Sequence, residues 1–264
     1  MNRRDLLCAV SLWTREMKRF YRQPSRVVGA LASPVMFWLL IGSGIGRSFQ
    51  DGSGAASQTY LEYFFPGTVM MILLFTAIFS TISLIEDRRE GFLQSVLVAP
   101  VSRGSIALGK ILGGTSLAVI QAALFLLLSP LLGIHLSFSG WGLVALALLV
   151  NGFAMTALGF LIAWRMNSIQ GFHAIMNVLL MPLWFLSGAL FPADGAPLWL
   201  RWVMTLNPLS YGMAALRRAL ADGRTAIASL PPAGLSWAVI VIFALVLFYL
   251  SGRAASRRSA EDLQ

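Results

Sequence analysis

Six long apolar stretches alternate with shorter polar segments along the 264 residues of the chain. At a rise of 1.5 Å per residue, an apolar helix of about 20 residues crosses a hydrocarbon core of about 30 Å. We therefore predict six transmembrane helices, at residues 27–46, 66–85, 106–132, 141–164, 169–190 and 235–251. The fold class that follows is an all-α membrane protein, in which residues 1–264 form a single transmembrane domain.

Residues 1–26 precede the first predicted span and have the pattern of an amphipathic helix. Apolar residues such as Leu6, Val10 and Trp13 recur at steps of three and four, and arginines and lysines occupy the intervening face. A helix of this type lies in the membrane interface with its cations at the lipid phosphates, although packing against a protein core gives the same pattern. The residues assigned to this interfacial helix are Trp13, Arg15, Lys18, Arg19 and Phe20.

The segment 86–105, between the second and third predicted spans, opens with five consecutive charged residues. Charges of this density require strong compensation in a bilayer core, so the segment lies in water, in a protein interface or at the headgroups. A short amphipathic helix follows, with these apolar positions at helical spacing: Phe92, Leu93, Val96 and Leu97. Pro100 ends this helix and Ser102 caps the next one. The pattern is typical of a helix that docks on a partner, and an interfacial loop that only joins two spans fits it equally well.

The segment 191–233, between the fifth and sixth predicted spans, contains two short helical patterns that are separated by Asn207-Pro208. They predict either a pair of re-entrant helices, which dip into the membrane from one side, or two helices that lie flat on the interface. The residues assigned to this motif are Asn207, Pro208 and Tyr211.

Basic residues are distributed unevenly between the two sides that six spans define. With both termini inside, the inner segments hold 15 of the 20 lysines and arginines. The positive-inside rule therefore places both termini and the segment 86–105 in the cytoplasm, and the segment 191–233 outside.

Composition agrees with a membrane protein, since 57% of the residues are hydrophobic and 12% are charged. The net charge is +9, and because the basic residues flank apolar stretches, membrane orientation and anionic lipid explain it better than nucleic acid does. A single cysteine, Cys8, excludes an intrachain disulfide framework, and His135 and His173 form no metal-binding motif. The first apolar stretch is too long for the hydrophobic region of a cleavable signal peptide.

No nucleotide-binding motif is evident in the sequence. The glycine-rich run at residues 42–48 lacks the lysine and the spacing of a Walker A loop. The apolar stretches also contain no aspartate or glutamate, whereas proton-driven carriers usually bury carboxylates in the membrane. A transporter with this sequence therefore needs energy from another protein.

Two motifs resemble those of type-2 ATP-binding-cassette (ABC) export permeases. The first, at residues 86–110, combines an acidic–basic entry, Glu-Gly, an apolar helix, Pro-Val-Ser-Arg and a span that opens with Gly-Lys. Phe92 departs from this motif, because many members of the family have a small hydroxyl residue there. The second motif comprises residues 185–192, followed by Asn-Pro-Leu-Ser-Tyr at 207–211 and Leu-Arg at 216–217.

This resemblance implies a transport subunit without an ATPase site or cofactor of its own. Two permeases, identical copies or a pair of paralogues, would form the pore, and two copies of a separate ABC ATPase subunit would bind ATP and Mg²⁺. Family members export drugs, lipids, lipo-oligosaccharides or polysaccharides, and in a bacterium the complex would occupy the inner membrane. The residues expected to contact the ATPase are Glu86, Asp87, Arg88, Arg89, Glu90, Gly91, Phe92, Leu93, Val96, Leu97, Pro100 and Arg103.

Large apolar residues within the spans are candidates for the substrate path, namely Trp38, Phe75, Phe79, Met181 and Trp184. A path with apolar walls and few charges suits an amphiphilic or lipid-linked substrate. Two other functions fit the same sequence: a non-transporting membrane anchor or scaffold for a soluble complex, and an intramembrane lipid enzyme with His173 as its base.

Overall fold

The computed structural model describes residues 2–22, 24–45, 60–221 and 230–261, which form helices and connecting turns with no strand among them. An all-α architecture is therefore confirmed for this part of the chain. Part of the sequence-based prediction lies outside the described residues: residues 47–59 of the segment 47–65 between the first two predicted spans, the end of the first predicted span at residue 46, and residues 222–229 of the segment 191–233.

Eleven α-helices are present in the described residues. They are α1 (Arg3–Tyr21), α2 (Pro24–Ile45), α3 (Tyr60–Ser80), α4 (Ile82–Arg89), α5 (Phe92–Val98), α6 (Arg103–Leu126), α7 (Phe138–Ala163), α8 (Ile169–Trp184), α9 (Leu198–Leu206), α10 (Pro208–Ala221) and α11 (Ala233–Glu261). Short 3₁₀ turns occur at Ser129–Leu132 and Ala193–Gly195, and a π-helical turn at Phe185–Ala189 follows α8 directly.

Five of the described helical segments are long and apolar enough to cross a membrane. They are Tyr60–Arg89, Arg103–Leu126, Phe138–Ala163, Ile169–Ala189 and Ala233–Ser256. The apolar part of α2 is shorter, at Leu31–Gly44, so the count of six spans remains a prediction. The second span is longer than the expected 66–85, because the helix starts at Tyr60 and carries α4 as its continuation after Thr81.

The helix α3 forms the centre of the bundle and packs against α2, α6, α7, α8 and α10. Every side chain from Phe64 to Leu74 is buried, as expected for a helix that is apolar on all sides and has neighbours on all sides. In contrast, α8 and α11 have mostly exposed apolar faces within this chain. Those faces are left to lipid or to another subunit.

Candidate functional site

The N-terminal helix α1 is seated on α6 through two glycines of α6. A Cβ atom at Gly109 would lie 2.6 Å from the carbonyl oxygen of Ala9, and one at Gly113 would lie 2.8 Å from Cβ of Glu16. Small residues four apart allow two helix backbones to approach closely. One face of α1 is therefore packed on protein, while Leu6 on its other face remains 52% exposed and available to the membrane interface.

Six charged side chains meet where α1, α4 and α6 converge, and we call them the ionic cluster. The cluster comprises Arg15, Glu16, Arg19, Glu86, Asp87 and Lys110. At its centre the ammonium of Lys110 forms ion pairs with both Glu16 and Asp87, and all three side chains are buried. The Lys110 side chain thus points into the protein.

Two arginines of α1 complete the ionic cluster. Arg15 Nη1 lies 2.7 and 2.8 Å from the two carboxylate oxygens of Asp87. Arg19 Nη2 lies 2.6 Å from Oε2 of Glu86. Three cations therefore balance three carboxylates, which is the arrangement that makes buried charge tolerable. The interpretation of α1 as an interfacial helix expects its cations at lipid phosphates. Instead, these two arginines form ion pairs within the chain.

The two arginines of the charged segment bind the turn between α7 and α8. Arg88 donates hydrogen bonds to the carbonyl oxygens of Trp164 at 2.6 Å and Met166 at 2.7 Å. Arg89 donates to the carbonyl oxygen of Asn167 at 2.9 and 3.1 Å. Cations at the last carbonyls of a helix are favourable because those carbonyls carry partial negative charge. Much of the charge at residues 86–90 is therefore used to hold elements of this chain together.

The short helix α5 has the predicted position, and its surroundings decide which of its residues a partner can reach. Leu93 is 3% exposed, and Val98 is 83% exposed. Gly91 adopts a φ of 76°, which favours glycine, and this turn separates α5 from α4. Turns interrupt the helix on both sides of α5, so α5 is a separate short helix and not part of the second or third span.

Contacts on both sides nevertheless fix α5 in place. The Arg15 guanidinium lies 3.8 Å from the centre of the Phe92 ring, a cation–π contact between α1 and α5. Arg103 donates a hydrogen bond to the carbonyl oxygen of Leu97 at 2.8 Å. As predicted, α5 ends before Pro100, and Ser102 caps α6 by accepting a hydrogen bond from the backbone N–H of Ser105 at 3.3 Å.

The first turn of α1 also contacts the end of the charged segment. The backbone N–H of Ser102 donates a hydrogen bond to Asp5 at 2.7 Å, which lowers the pKa of the Asp5 carboxyl below its usual value. A groove of about 590 Å³ runs between α1 and α5, lined by residues that include Leu7, Cys8 and Val96. The two helices thus form one composite surface at this end of the bundle.

A larger cavity, of about 780 Å³, lies between α2, α3, α6 and α8. Of the residues predicted for the substrate path, Phe75, Phe79, Met181 and Trp184 line it. Trp38 does not, because its ring packs against Phe65 and Phe125 on another side of α3 and its indole N–H donates to the carbonyl oxygen of Leu61.

The cavity is apolar along most of its length and polar at the end that meets the ionic cluster. Glu16, Arg19 and Ser83 line that end. In the apolar part, Thr76 donates a hydrogen bond to Gln121 at 2.5 Å, and His173 packs on Phe79 with the ring centres 4.9 Å apart. The space therefore suits a molecule with an apolar body and one polar end.

Sequence reasoning did not identify Glu16 or Gly109 as site residues, although each has a signal. Glu16 is spaced four residues from Leu12 and from Phe20, so this acid lies on the apolar side of a basic helix. Gly109 and Gly113 are also four residues apart at the start of an apolar stretch. Both signals indicate that α1 packs on the third predicted span.

At the opposite end of the bundle, α9 and α10 meet at the predicted Asn207-Pro208 break. Asn207 Nδ2 donates a hydrogen bond to the carbonyl oxygen of Leu183 at 2.7 Å, and the Tyr211 hydroxyl donates to the carbonyl oxygen of Thr205 at 3.0 Å. Pro208 is the first residue of α10, where its missing N–H costs no helical hydrogen bond.

Comparisons with known proteins agree on the family. The sequence profile described as "ABC-2 type transporter" matches residues 9–221. A putative transport permease, ycf38, of Cyanophora paradoxa is 32% identical over 203 residues, which cover 74% of this chain and 68% of that protein.

Two bacterial proteins extend the comparison. Nodulation protein J of Sinorhizobium fredii is 26% identical and covers 94% of this chain and 93% of its own length. The daunorubicin resistance ABC transporter permease protein DrrB1 of Streptomyces coeruleorubidus is 26% identical, with 79% of this chain and 73% of that protein covered. The profile match over most of the chain and the permease relatives lead to one conclusion: this protein belongs to the ABC-2 type transporter family, as a membrane permease subunit.

Proposed function

We propose that the chain is the permease subunit of an exporter that moves an amphiphilic drug, lipid or lipid-linked saccharide outward. The energy comes from ATP hydrolysis on a separate ABC ATPase subunit, which binds ATP and Mg²⁺. The observation that carries the proposal is the cavity beside α3, which is apolar along its length and polar at the ionic cluster. The names of two relatives refer to drug resistance and to nodulation, and both are in keeping with export.

The proposed assembly contains two permeases, as a homodimer or with a paralogue, and two ATPase subunits. Both termini and the segment 86–105 face the cytoplasm, following the distribution of basic residues. In a bacterium the complex lies in the inner membrane. The exposed apolar faces of α8 and α11 are then covered by lipid and by the second permease.

The proposed coupling runs from α5 into the bundle along three sets of contacts. Phe92 touches Arg15 of α1, Arg103 ties α5 to α6, and Arg88 of α4, the helix that precedes α5, holds the turn that precedes α8. A displacement of α5 by the ATPase is therefore passed to α1, α6 and α8, which all contribute residues to the wall of the cavity. The ionic cluster joins α1, α4 and α6, so these three helices move together when α5 is displaced.

The proposal is tested with the permease and its co-purified ATPase in proteoliposomes. Three probes cover the proposed chemistry: daunorubicin, a fluorescent phospholipid and a lipo-oligosaccharide. We expect ATP-dependent, vanadate-sensitive movement of at least one probe, and a several-fold loss of that movement in Phe79→Trp, which fills the cavity. The matched control is Phe138→Trp, because Phe138 is 98% exposed at the start of α7 and does not line the cavity.

Two results contradict this function. If none of the three probes moves with ATP, a scaffold that anchors a soluble complex explains the chain better. If Phe79→Trp and Phe138→Trp transport equally well, the cavity is not the substrate path.

A further inference from the structure

The end of α8 that faces away from the ionic cluster is a broken helix. The α-helix gives way to a π-helical turn at Phe185–Ala189, and Gly188 within it has a φ of 82°. Breaks of this kind interrupt the regular hydrogen bonds and leave main-chain carbonyl oxygens in need of other donors. Single π-helical turns inside α-helices occur frequently at functional sites.

Side chains from α10 and its cap supply donors to these carbonyls. Arg217 Nη2 donates to the carbonyl oxygen of Gly188 at 2.9 Å, and Asn207 donates to that of Leu183 at 2.7 Å. The Ser210 hydroxyl donates to the carbonyl oxygen of Leu186 at 3.0 Å. The second family-like motif of the sequence therefore has a physical role. Its Ser210 and Arg217 bind carbonyls of its own Phe-Leu-Ser-Gly part, and its Asn207 binds the carbonyl of Leu183 just before that part.

The first turn of α3 joins the same set of contacts. The Tyr63 hydroxyl donates to the carbonyl oxygen of Gly188 at 3.2 Å, and the Tyr60 hydroxyl donates to that of Leu190 at 3.1 Å. Arg217 Nη1 donates in turn to the carbonyl oxygen of Tyr63 at 2.9 Å, and its guanidinium lies 4.1 Å from the centre of the Tyr63 ring. Of the three donors Asn207, Ser210 and Arg217, Arg217 is thus the one that hydrogen-bonds both to α3 and to the end of α8.

The environment of Arg217 is unusual for a cation. The residue is 8% exposed, and its hydrogen bonds end on main-chain carbonyl oxygens. Such a buried charge is costly unless its donors are satisfied, and the negative end of a helix is a favourable place for it. If the only requirement were to pack α10 against α8, an apolar side chain would suffice at lower cost.

The helix α10 also reaches deep into the bundle. Gly212 lies against Asn151 in the middle of α7, and a Cβ atom at Gly212 would overlap the Asn151 amide. Asn151 Nδ2 donates a hydrogen bond to the carbonyl oxygen of Gly212 at 3.4 Å. The pair α9–α10 is therefore wedged beside the middle of a candidate span, next to the end of α8 where Trp184 and Phe185 line the cavity.

We propose that Arg217 is a positioning residue for transport, which latches α9–α10 onto the broken end of α8 and the first turn of α3. With the latch formed, these helices close the outer end of the cavity and move together with α8. The inference rests on the proposed export function, because a closed outer end has a purpose only where a substrate leaves.

The first test measures closure with a single cysteine and needs neither substrate nor ATPase. Ser187, which is 3% exposed, is replaced in a Cys8→Ser chain to give the reporter Ser187→Cys, and the protein is placed in lipid nanodiscs. We expect Arg217→Gln to raise the rate of labelling by a membrane-impermeant maleimide about tenfold or more, because charged hydrogen bonds are lost. Arg217→Lys, which keeps the charge but lacks the planar fork, is expected to give an intermediate rate.

The matched control is Arg218→Gln. Arg218 is adjacent on the same helix, but it donates to the Leu230 carbonyl oxygen and the Ser236 hydroxyl instead of to α8. The reporter cysteine in the Arg218→Gln variant should be labelled at the same rate as in the parent. The latch is disproved if Arg217→Gln leaves the reporter as protected as in the parent, or if Arg218→Gln exposes it equally. Should Arg217→Gln fail to fold, the comparison of Arg217→Lys with Arg218→Lys decides in the same way.

The second test separates a role in transport from a role in stability. The probe in this test is the one that the parent complex moves: daunorubicin, the fluorescent phospholipid or the lipo-oligosaccharide. In proteoliposomes with the co-purified ATPase, we expect Arg217→Lys to lower the movement of that probe per ATP hydrolysed, whereas a purely structural role would lower movement and hydrolysis in parallel. If the parent complex transports no probe, the proposed function fails, and the nanodisc labelling still decides whether the latch exists.

Discussion

Nη2 of Arg88 lies 2.6 Å from the carbonyl oxygen of Trp164, at the end of α7. The same guanidinium donates to the carbonyl oxygen of Met166 and lies 5.6 Å from the centre of the Trp164 ring. A residue of the charged segment is thereby bound to the turn from which α8 starts. This contact gives the segment 86–105 a direct connection to the side of the cavity that α8 forms.

Replacing Arg88 with glutamine is expected to weaken this connection. A hydrogen bond to a charged group contributes about 1.5–3 kcal/mol, so loss of two should reduce the free energy of unfolding by roughly 3 kcal/mol. We expect a lower thermal midpoint of the purified protein and less efflux per ATP. Arg165→Gln is the control, because Arg165 lies in the same turn with an exposed side chain. Equal midpoints for the two variants would contradict the proposed importance of the Arg88 contact.

Gly109 should not tolerate a side chain, because α1 lies against it. In Gly109→Ala the new Cβ would meet the main chain of Ala9, and overpacking of this kind costs typically about 1–3 kcal/mol. Gly104→Ala, on the same helix, has no atom within 4 Å of the new Cβ. We expect a lower thermal midpoint and faster proteolysis of α1 in Gly109→Ala alone, and equal proteolysis of both variants would show that α1 is not seated there.

Lys110→Met is expected to be strongly destabilising, because it leaves the Glu16 and Asp87 carboxylates without their buried counter-ion. Removal of one partner of a buried ion pair costs about 3–5 kcal/mol. Lys18→Met is the matched control, since Lys18 is an exposed lysine of α1.

A double-mutant cycle tests the same ion pair directly. If Lys110 and Asp87 interact as the structure shows, Asp87→Asn should cost less in a Lys110→Met chain than in the parent. We expect a coupling energy above about 1 kcal/mol from unfolding experiments on the four proteins. A coupling energy near zero would mean that the pair contributes nothing to stability.

Val98→Asp should weaken binding of the ATPase without unfolding the permease, because Val98 is the most exposed large apolar residue of α5. Interface anchors typically contribute more than 1 kcal/mol, so we expect an affinity loss of about tenfold in a pull-down or titration. A charge at Leu93, which the sequence alone assigns to the docking face, would instead be buried and reduce stability. Wild-type affinity of Val98→Asp would place the docking surface elsewhere.

Local patterns were sufficient to predict α5 and the ends of its neighbours. The stop at Pro100 and the cap at Ser102 depend on residues within one or two turns, and the structure has both. The sides of α5 were not predictable. The sequence assigns Leu93 to the docking face and leaves Val98 out, whereas the structure buries Leu93 and exposes Val98. The burial of Leu93 is a matter of tertiary packing, because its side chain joins the hydrophobic core of the bundle.

The ionic cluster was unpredictable for a similar reason. A run of five charges between two apolar stretches reads as a solvated or partner-facing surface, because the sequence does not show counter-ions supplied by distant elements. Asp87 finds its partners in Arg15 and Lys110, on two different helices. Of the residues predicted for the substrate path, Phe75, Phe79, Met181 and Trp184 line the cavity. Trp38 does not, because hydropathy does not indicate which side of a span faces which neighbour.

The seat of α1 on α6 has a consequence for how the protein is made. Glu86, the ion-pair partner of Arg19, is synthesised 67 residues after it. Lys110, the partner of Glu16, is synthesised 94 residues after it. At roughly 5–20 residues per second, α1 waits roughly 3–20 s after leaving the ribosome before its partners exist. During biogenesis the bilayer surface is a suitable temporary binding site for this amphipathic helix. Once α6 has been synthesised, α1 leaves the bilayer surface and packs on α6.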